Sequence, residues 1–252
     1  MTGIMELIFA ALFVIVLIFI LRYVIRSGNR RAQELWRRER ELWHRDEALI
    51  QTVTKLNRGT ESERDLVLKL LRHGIPAVTI FHDLYVQTGR NHYAQIDTVV
   101  PTKVGILVFE VKEYSGWLFG RGNQPYWTQV LAYGDEKHRF YNPVFQNNGH
   151  INVLKKQLCR YAHVPFYSII VFYGNCDLRD VDAIPDGTYI VYSHQVRALI
   201  DYLLTTKPRA TYADKRGVVD TLKAAVVNGN SLEVVQSHAE RVRRVSVERW
   251  SR

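Results

Sequence analysis

The stretch AQIDTVVPTKVGILVFEVK, Ala94 to Lys112, reads as two strands joined by a short turn. The first, Ala94 to Val100, carries Asp97; the second, Gly105 to Lys112, is an almost unbroken apolar run ending in Glu110, Val111 and Lys112. Such a run is expected of a strand covered on both faces in the middle of a sheet. Side chains alternate along a strand, so Glu110 and Lys112 share a face. Charges at the end of a buried strand need partners, and Asp97 is near enough in sequence to be one. Two carboxylates and a lysine converging at a strand end suit a divalent metal and an activated water. The alternative is a structural ion-pair cluster.

Upstream, Gly59 to His73 (GTESERDLVLKLLRH) is amphipathic, with Leu66, Val67, Leu70 and Leu71 as its apolar side. Glu61 and Glu63 lie in its first turn, where negative charge suits the helix dipole, and Gly74 is a stop signal. Ala77 to Val86 reads as a strand and Gly89 to His92 as a turn. Downstream, Trp117–Phe119 and Tyr126–Thr128 flank the turn segment GRGNQP, which predicts a β-hairpin over Gly116 to Tyr141. No Walker pattern is present. Asn142-Pro143 starts a helix, Val144 to about Tyr161, with Gln146 in its first turn and His150 one turn on. Phe166 to Tyr173 is a second apolar strand and Thr188 to Tyr192 a short one. A helix runs from Ser193 to Leu204, and two more are expected over Tyr212–Val227 and Ser231–Trp250. The last carries Arg241, Arg243, Arg244 and Arg249, read either as a solvated face or as a contact for nucleic acid or lipid. His44, His73 and His194 are scattered without metal spacing and read as surface or packing residues.

The amino-terminal part is different in kind. Leu7 to Leu21 is solidly apolar, and Tyr23, Val24 and Ile25 extend it past Arg22. A helix from Leu7 to Ile25 would cover roughly 28 Å, about one bilayer core. A cleaved signal peptide would carry a basic start and a small-residue cleavage site, and Met1 to Glu6 contains neither Lys nor Arg. An uncleaved single-pass anchor over residues 1–26 is therefore expected. Arg22, Arg26, Arg30 and Arg31 all follow it, which puts the rest of the chain in the cytoplasm. Residues 27–57 form a charged helical stalk in which Leu35, Leu42, Leu49 and Leu56 recur every seven residues. That stripe is either a short coiled coil forming a homodimer or a lone helix packed on its domain or on headgroups.

The 252 residues suit one domain of ordinary size with chain left over. The net charge of +9 favours a polyanionic partner, nucleic acid or anionic lipid. Cys159 and Cys176 make neither a disulfide framework nor a zinc site.

The order helix, three strands, helix, strand, with Asp97 and then Glu110-x-Lys112, resembles the PD-(D/E)XK nuclease fold, an α/β mixed sheet flanked by helices. The phrases QID, GILVFEVK, YSGWLFG, YWTQVL, YNPVFQNNGHINVLKKQL and SIIVF resemble the NERD family, the nuclease-related domain. That domain would span 58–175, with 176–252 adding a strand and helices packed on it or extending it. The family's G-x-x-G-E falls on Gly59 to Glu63, with Ser62 replacing the second glycine. Its Asp is Asp97 and its E-x-K is Glu110 and Lys112. Gln146 resembles the glutamine of a Q-x-x-x-Y motif, with His150 in place of Tyr.

The resemblance implies a Mg²⁺- or Mn²⁺-dependent nuclease acting on DNA or RNA, which the expected anchor would hold at a membrane. Asp97, Glu110 and the Val111 carbonyl would hold the metal, and Glu63 would complete its shell. Glu63, Asp97, Glu110, Lys112 and Gln146 would form the catalytic set, with Gln146 and His150 on substrate. The alternative is a catalytically silent, membrane-tethered module that binds nucleic acid or a protein.

Overall fold

The computed structural model describes residues 33–131, 134–161 and 163–250. The expected anchor, Leu7 to Ile25, lies outside the described residues; among these, no helix is long and apolar enough to cross a membrane. The chain divides into two units, 1–48 and 49–252. The first contributes helical residues of α1 (33–51), where Leu35, Trp36, Leu42 and Trp43 are all more than half exposed. The helix ends at 51, short of the expected Asn57, and the second unit already includes buried Ile50 and Thr54.

In the second unit, α2 (Glu61–Arg72) leads into β1 (Phe81–Gly89), β2 (His92–Thr102) and β3 (Gly105–Glu113). Then come β4 (Gly116–Arg121), β5 (Tyr126–Leu131), β6 (Glu136–Tyr141), α3 (Pro143–Gln157), β7 (Phe166–Tyr173), β8 (Cys176–Asp182) and β9 (Thr188–Tyr192). The chain continues with α4 (Val196–Thr206), α5 (Lys215–Asn228) and α6 (Leu232–Trp250). The fold is a mixed α/β arrangement of two mixed sheets flanked by helices. The first sheet has the order β1-β2-β3-β7-β9, antiparallel as far as β3 and parallel beyond it. The apolar run Gly105–Phe109 is central and wholly buried.

Two cores sandwich this sheet. On one face Leu66, Val67 and Leu70 of α2 meet Leu199, Ile200 and Leu203 of α4 over Leu107 and Phe109. On the other, Ile151 and Leu154 of α3 and Val218 and Leu222 of α5 cover Ile106 and Val108. Each fully buried aliphatic side chain contributes about 1.5–3 kcal/mol, so these stripes, rather than helix propensity, hold the layers together.

Three expectations need correction. Ala77–Thr79 is a 3-10 turn, and the strand begins at Phe81; Pro76 fixes an extended residue before the turn, and apolar composition alone does not distinguish turn from strand. The expected hairpin forms between β4 and β5, not as an isolated insertion but as the middle of a second sheet, ordered β6-β5-β4-β8. Its outer members, EKHRFY and CDLRDVD, are half-exposed strands whose charged residues hide the alternation. The segment after 175 therefore supplies two strands, one to each sheet, rather than one. The second sheet packs Leu118 and Trp127 on Ile170 and Phe172 of β7, with Trp127 stacked parallel to Phe172 at 6.2 Å. Ile170 and Phe172 pair in register with Glu110 and Lys112. The second sheet thus walls in the strand end that bears the charges.

Candidate active site

The site arises from a break in the sheet. β1 and β2 pair Phe81 with Val99 and His82 with Thr98, and resume at Leu84 with Ile96, leaving Asp83 and Asp97 unpaired at the same level. Asp83 adopts a left-handed φ of 53°. Phe81 and Leu84 enter one core, as do Ile96 and Val99, so both strands lose their alternation there. Pairing of β2 with β3 ends at Thr98 and Phe109. Beyond it the freed N–H of Val111 donates instead to Asp97 Oδ2 at 2.7 Å. The break therefore brings Asp97 beside the end of β3.

α3 closes the other side, held by two fully buried asparagines. Asn142 caps the helix, its Oδ1 accepting from Val144 N at 2.8 Å. Its amide donates to the carbonyls of Arg121 and Gln124, pinning the β4–β5 turn to the start of α3. Asn147 donates to the Val108 carbonyl and Ser168 Oγ, both at 2.9 Å. With α3 so fixed, Lys112 Nζ donates to Gln146 Oε1 at 3.1 Å and lies 2.6 Å from Glu110 Oε1. His150 Nδ1 approaches Glu110 Oε2 at 3.3 Å. Both of these last atoms are buried, and neither completes a hydrogen bond.

Glu63 belongs to a second chain of contacts. Thr60 caps α2, its hydroxyl accepting from Glu63 N and donating to Glu63 Oε1 at 3.0 Å. Glu63 Oε2 lies 3.5 Å from His82 Nε2, and His82 Nδ1 meets Thr54 Oγ1 at 3.0 Å. Gly59, at φ 64°, covers this pair; a Cβ there would come within 2.5 Å of Glu63 Oε2 and 2.7 Å of the His82 ring. Ser62 donates to Glu113 Oε2 at 2.6 Å and ties α2 to the end of β3.

Electrostatics separate these groups. Burial, then the charges of Glu110 and Glu63, push the Asp97 carboxyl well above the usual aspartate range; Lys112 and the Val111 N–H offset only part of this. Burial also raises Glu110, but Lys112 and His150 outweigh it and hold Glu110 below the ordinary value. Burial lowers Lys112, yet Glu110 and Asp97 overcome this and raise it. For Glu63, burial is outweighed by His82 and Thr60, leaving it lowered.

Asp97, Glu110, Lys112, Gln146 and His150 are thus one connected group. Glu63 bears on Asp97 through its charge, while Thr60 holds its Oε1 and His82 Nε2 lies 3.5 Å from its Oε2. Among the described residues no three His, Cys, Asp or Glu side chains are arranged as a complete metal cage. What is present is two carboxylates with the Val111 carbonyl on the same strand end. Glu110 Oε2 and Glu63 Oε2 are buried without a hydrogen-bond donor, and Asp97 is pushed up by burial and then by like charge. Such an all-oxygen, electron-rich set fits a hard divalent cation. Sequence reading missed Thr54 and His82 because a histidine in an apolar strand carries no spacing signal. A cavity of about 530 Å³ beside Lys103 and Tyr212 lies at the opposite end of β3 and has no part in this chemistry.

Residues 58–173 match the family model of NERD, the nuclease-related domain. Over 122 residues the chain is 28% identical to an uncharacterized protein of Bacillus anthracis, covering 48% of this chain and 56% of the relative. The chain therefore spans about half the length of the curated relative it matches. No solved structure matches it.

Proposed function

We propose that the nuclease-related domain is a metal-dependent nuclease of the PD-(D/E)XK kind that hydrolyses phosphodiester bonds of DNA or RNA. The observation that carries this reading is the carboxylate cluster at the end of β3: Asp97, raised by burial and then by Glu110 and Glu63, beside two buried oxygens that lack donors. Asp97, Glu110 and the Val111 carbonyl would hold Mg²⁺ or Mn²⁺, with Glu63, steadied by His82, completing the shell. When bound, the ion would acidify a water and offset charge building on the phosphate. Lys112, raised and paired with Glu110, stays cationic, so its role is to orient and balance charge at the phosphate rather than to act as the base. Gln146 and His150, on the first turns of α3, face the same charges and would position the strand.

The apolar run Leu7–Ile25 would tether the enzyme to a membrane with the domain on the cytoplasmic side. The exposed Leu35, Trp36, Leu42 and Trp43 support a homodimer through the stalk helix. A second reading, a silent binding module, draws on the 2.6 Å Glu110–Lys112 pair, which already compensates one carboxylate.

The test is cleavage by the full chain. Residues before 58 are kept because Thr54 supports His82. Single- and double-stranded DNA and RNA are offered with Mg²⁺, Mn²⁺ or EDTA, beside Glu110→Ala. Cutting that needs metal and is lost in the variant is the expected result. A folded protein that binds nucleic acid but cuts nothing would favour the binding module.

A further inference from the structure

α2 runs across the ends of several strands. Its first turn meets His82 of β1 through Glu63 and the end of β3 through Ser62. Its middle meets the end of β7, with Lys69 Nζ 5.6 Å from the centre of the Tyr173 ring. Its last turn reaches the segment after β9. There Lys69, Arg72, His73, Ser193, His194 and Arg197 line a pocket of about 150 Å³. The parallel strands β3, β7 and β9 all point their carboxyl ends toward this side, the side of the sheet where α/β folds place ligands.

The chemistry of the pocket is that of an anion site. Lys69, Arg72 and Arg197 line it; Lys69 is paired with Asp65, His73 with Asp201, and Arg72 is engaged as well. Arg197 is exposed and forms no ion pair among the described residues. The His73 side chain is only 10% exposed. Its Nε2 is 3.2 Å from Asp201 Oδ1, while its Nδ1 is buried without any hydrogen-bond partner. A ligand oxygen in the pocket would give that nitrogen the partner it lacks. His194, stacked on Tyr192, stands at the start of the turn leading into α4, where helix N–H groups add positive potential.

We propose that this pocket is a phosphate subsite for nucleic acid. It lies six to ten residues along α2 from Glu63, about 9–15 Å at 1.5 Å per residue, so it would hold a backbone phosphate of the strand whose scissile bond lies at Asp97 and Glu110. The assignment of the occupant rests on the nuclease reading; the anion site rests on His73 and Arg197. Phosphate contacts of this kind fix register without reading sequence.

The experiment measures binding of labelled single- and double-stranded DNA and RNA to the full chain in EDTA, where no cutting interferes. Arg197→Glu puts an acid in the first turn of α4, which helix electrostatics tolerates. It should weaken binding by roughly tenfold or more and reduce the salt slope by about one, while Arg197→Lys retains most of the affinity. His73→Gln should weaken binding with its melting temperature unchanged, and inorganic phosphate should compete in the wild type. With metal present, Arg197→Glu should raise KM and spare kcat. Equal binding by Arg197→Glu and wild type would overturn the proposal. So would a wild type that binds no nucleic acid, or a pocket that takes only inorganic phosphate or anionic-lipid vesicles. Arg197-dependent binding without cutting under any metal would leave the subsite standing and remove the nuclease reading instead.

Discussion

Asp83 and Asp97 occupy the same break between β1 and β2, and the protein treats them in opposite ways. Asp83 is fully compensated. Arg58 Nε donates to its Oδ2 at 2.8 Å, Gln95 Nε2 donates to its Oδ1 at 2.9 Å, and the same guanidinium holds the carbonyls of Asp83 and Val226. That arrangement ties the break in β1 to the end of α5. Asp97 has one backbone N–H and part of the Lys112 charge, against two other carboxylates and its own burial. It keeps partial contact with solvent, the route by which a cation would arrive, although the surrounding protein still disfavours its charge. A buried charge matched inside the protein serves the fold, whereas one left unmatched marks a place for something from outside.

The largest expected effect comes from breaking the compensated half. Arg58→Ala would strand Asp83 in a site that is only 7% exposed and should cost about 3–5 kcal/mol of stability. Urea denaturation checks this, and Asp83→Asn added to Arg58→Ala should recover part of the loss. If Arg58→Ala is neutral, Asp83 is not held by that ion pair.

A smaller effect is expected from loosening what steadies the uncompensated half. His82→Ala or Thr54→Val frees the Glu63 carboxylate without touching Asp97 or Glu110. Loss of such a supporting contact typically lowers metal affinity or activity by about 10–100-fold. Titrating Mn²⁺ into each variant measures it; unchanged affinity would reduce the Thr54–His82 chain to packing.

How much of this contrast can be read in the sequence depends on what each residue does locally. β3 is plain because an apolar run buried on both faces has no other reading, and the charges that end it, Glu110 and Lys112, stand out against it. α2 is legible from its apolar spacing and the acidic residues of its first turn, and α3 from the Asn142-Pro143 pair at its start. The break is not legible, because it consists of a left-handed Asp83 and a pairing that skips one level, neither of which leaves a pattern in composition. Arg58 looks like one surface arginine among many until the fold brings Val226 to it. The second sheet is half-legible, since β6 and β8 lie at its edges and are rich in charge. Asn142 and Asn147 are invisible as core residues, since polar side chains enter a core only where tertiary partners satisfy them.

The smallest effect is a pH slope. In the folded, metal-free protein Asp97 binds its proton more tightly than in the unfolded chain, where it titrates near the ordinary value of about 3.9. Its contribution to stability is fully present below that value and is lost as pH rises through the raised one. Glu63 and Glu110, both lowered, act with the opposite sign, and their contribution is lost as the solution turns acid. Asp97→Asn removes only the first of these. In EDTA, wild-type stability should therefore fall relative to Asp97→Asn as pH rises, which melting curves across the acid range would reveal. A constant difference between the two proteins would mean that Asp97 is matched after all.

The most direct measurement is Mn²⁺ binding to the full chain, followed by the paramagnetic resonance of the free ion, for wild type and Asp97→Asn, with melting temperatures taken in EDTA. The side-chain amide that Asp97→Asn introduces can still accept the Val111 N–H through its oxygen, so the fold is spared. The account predicts that wild type binds Mn²⁺, and that Asp97→Asn binds it at least tenfold more weakly, on the scale of a lost metal contact. Asp97→Asn should also melt at or above the wild-type temperature. Wild type that binds no Mn²⁺, or Asp97→Asn that binds it equally well, would contradict the claim that Asp97 is held unmatched for a cation.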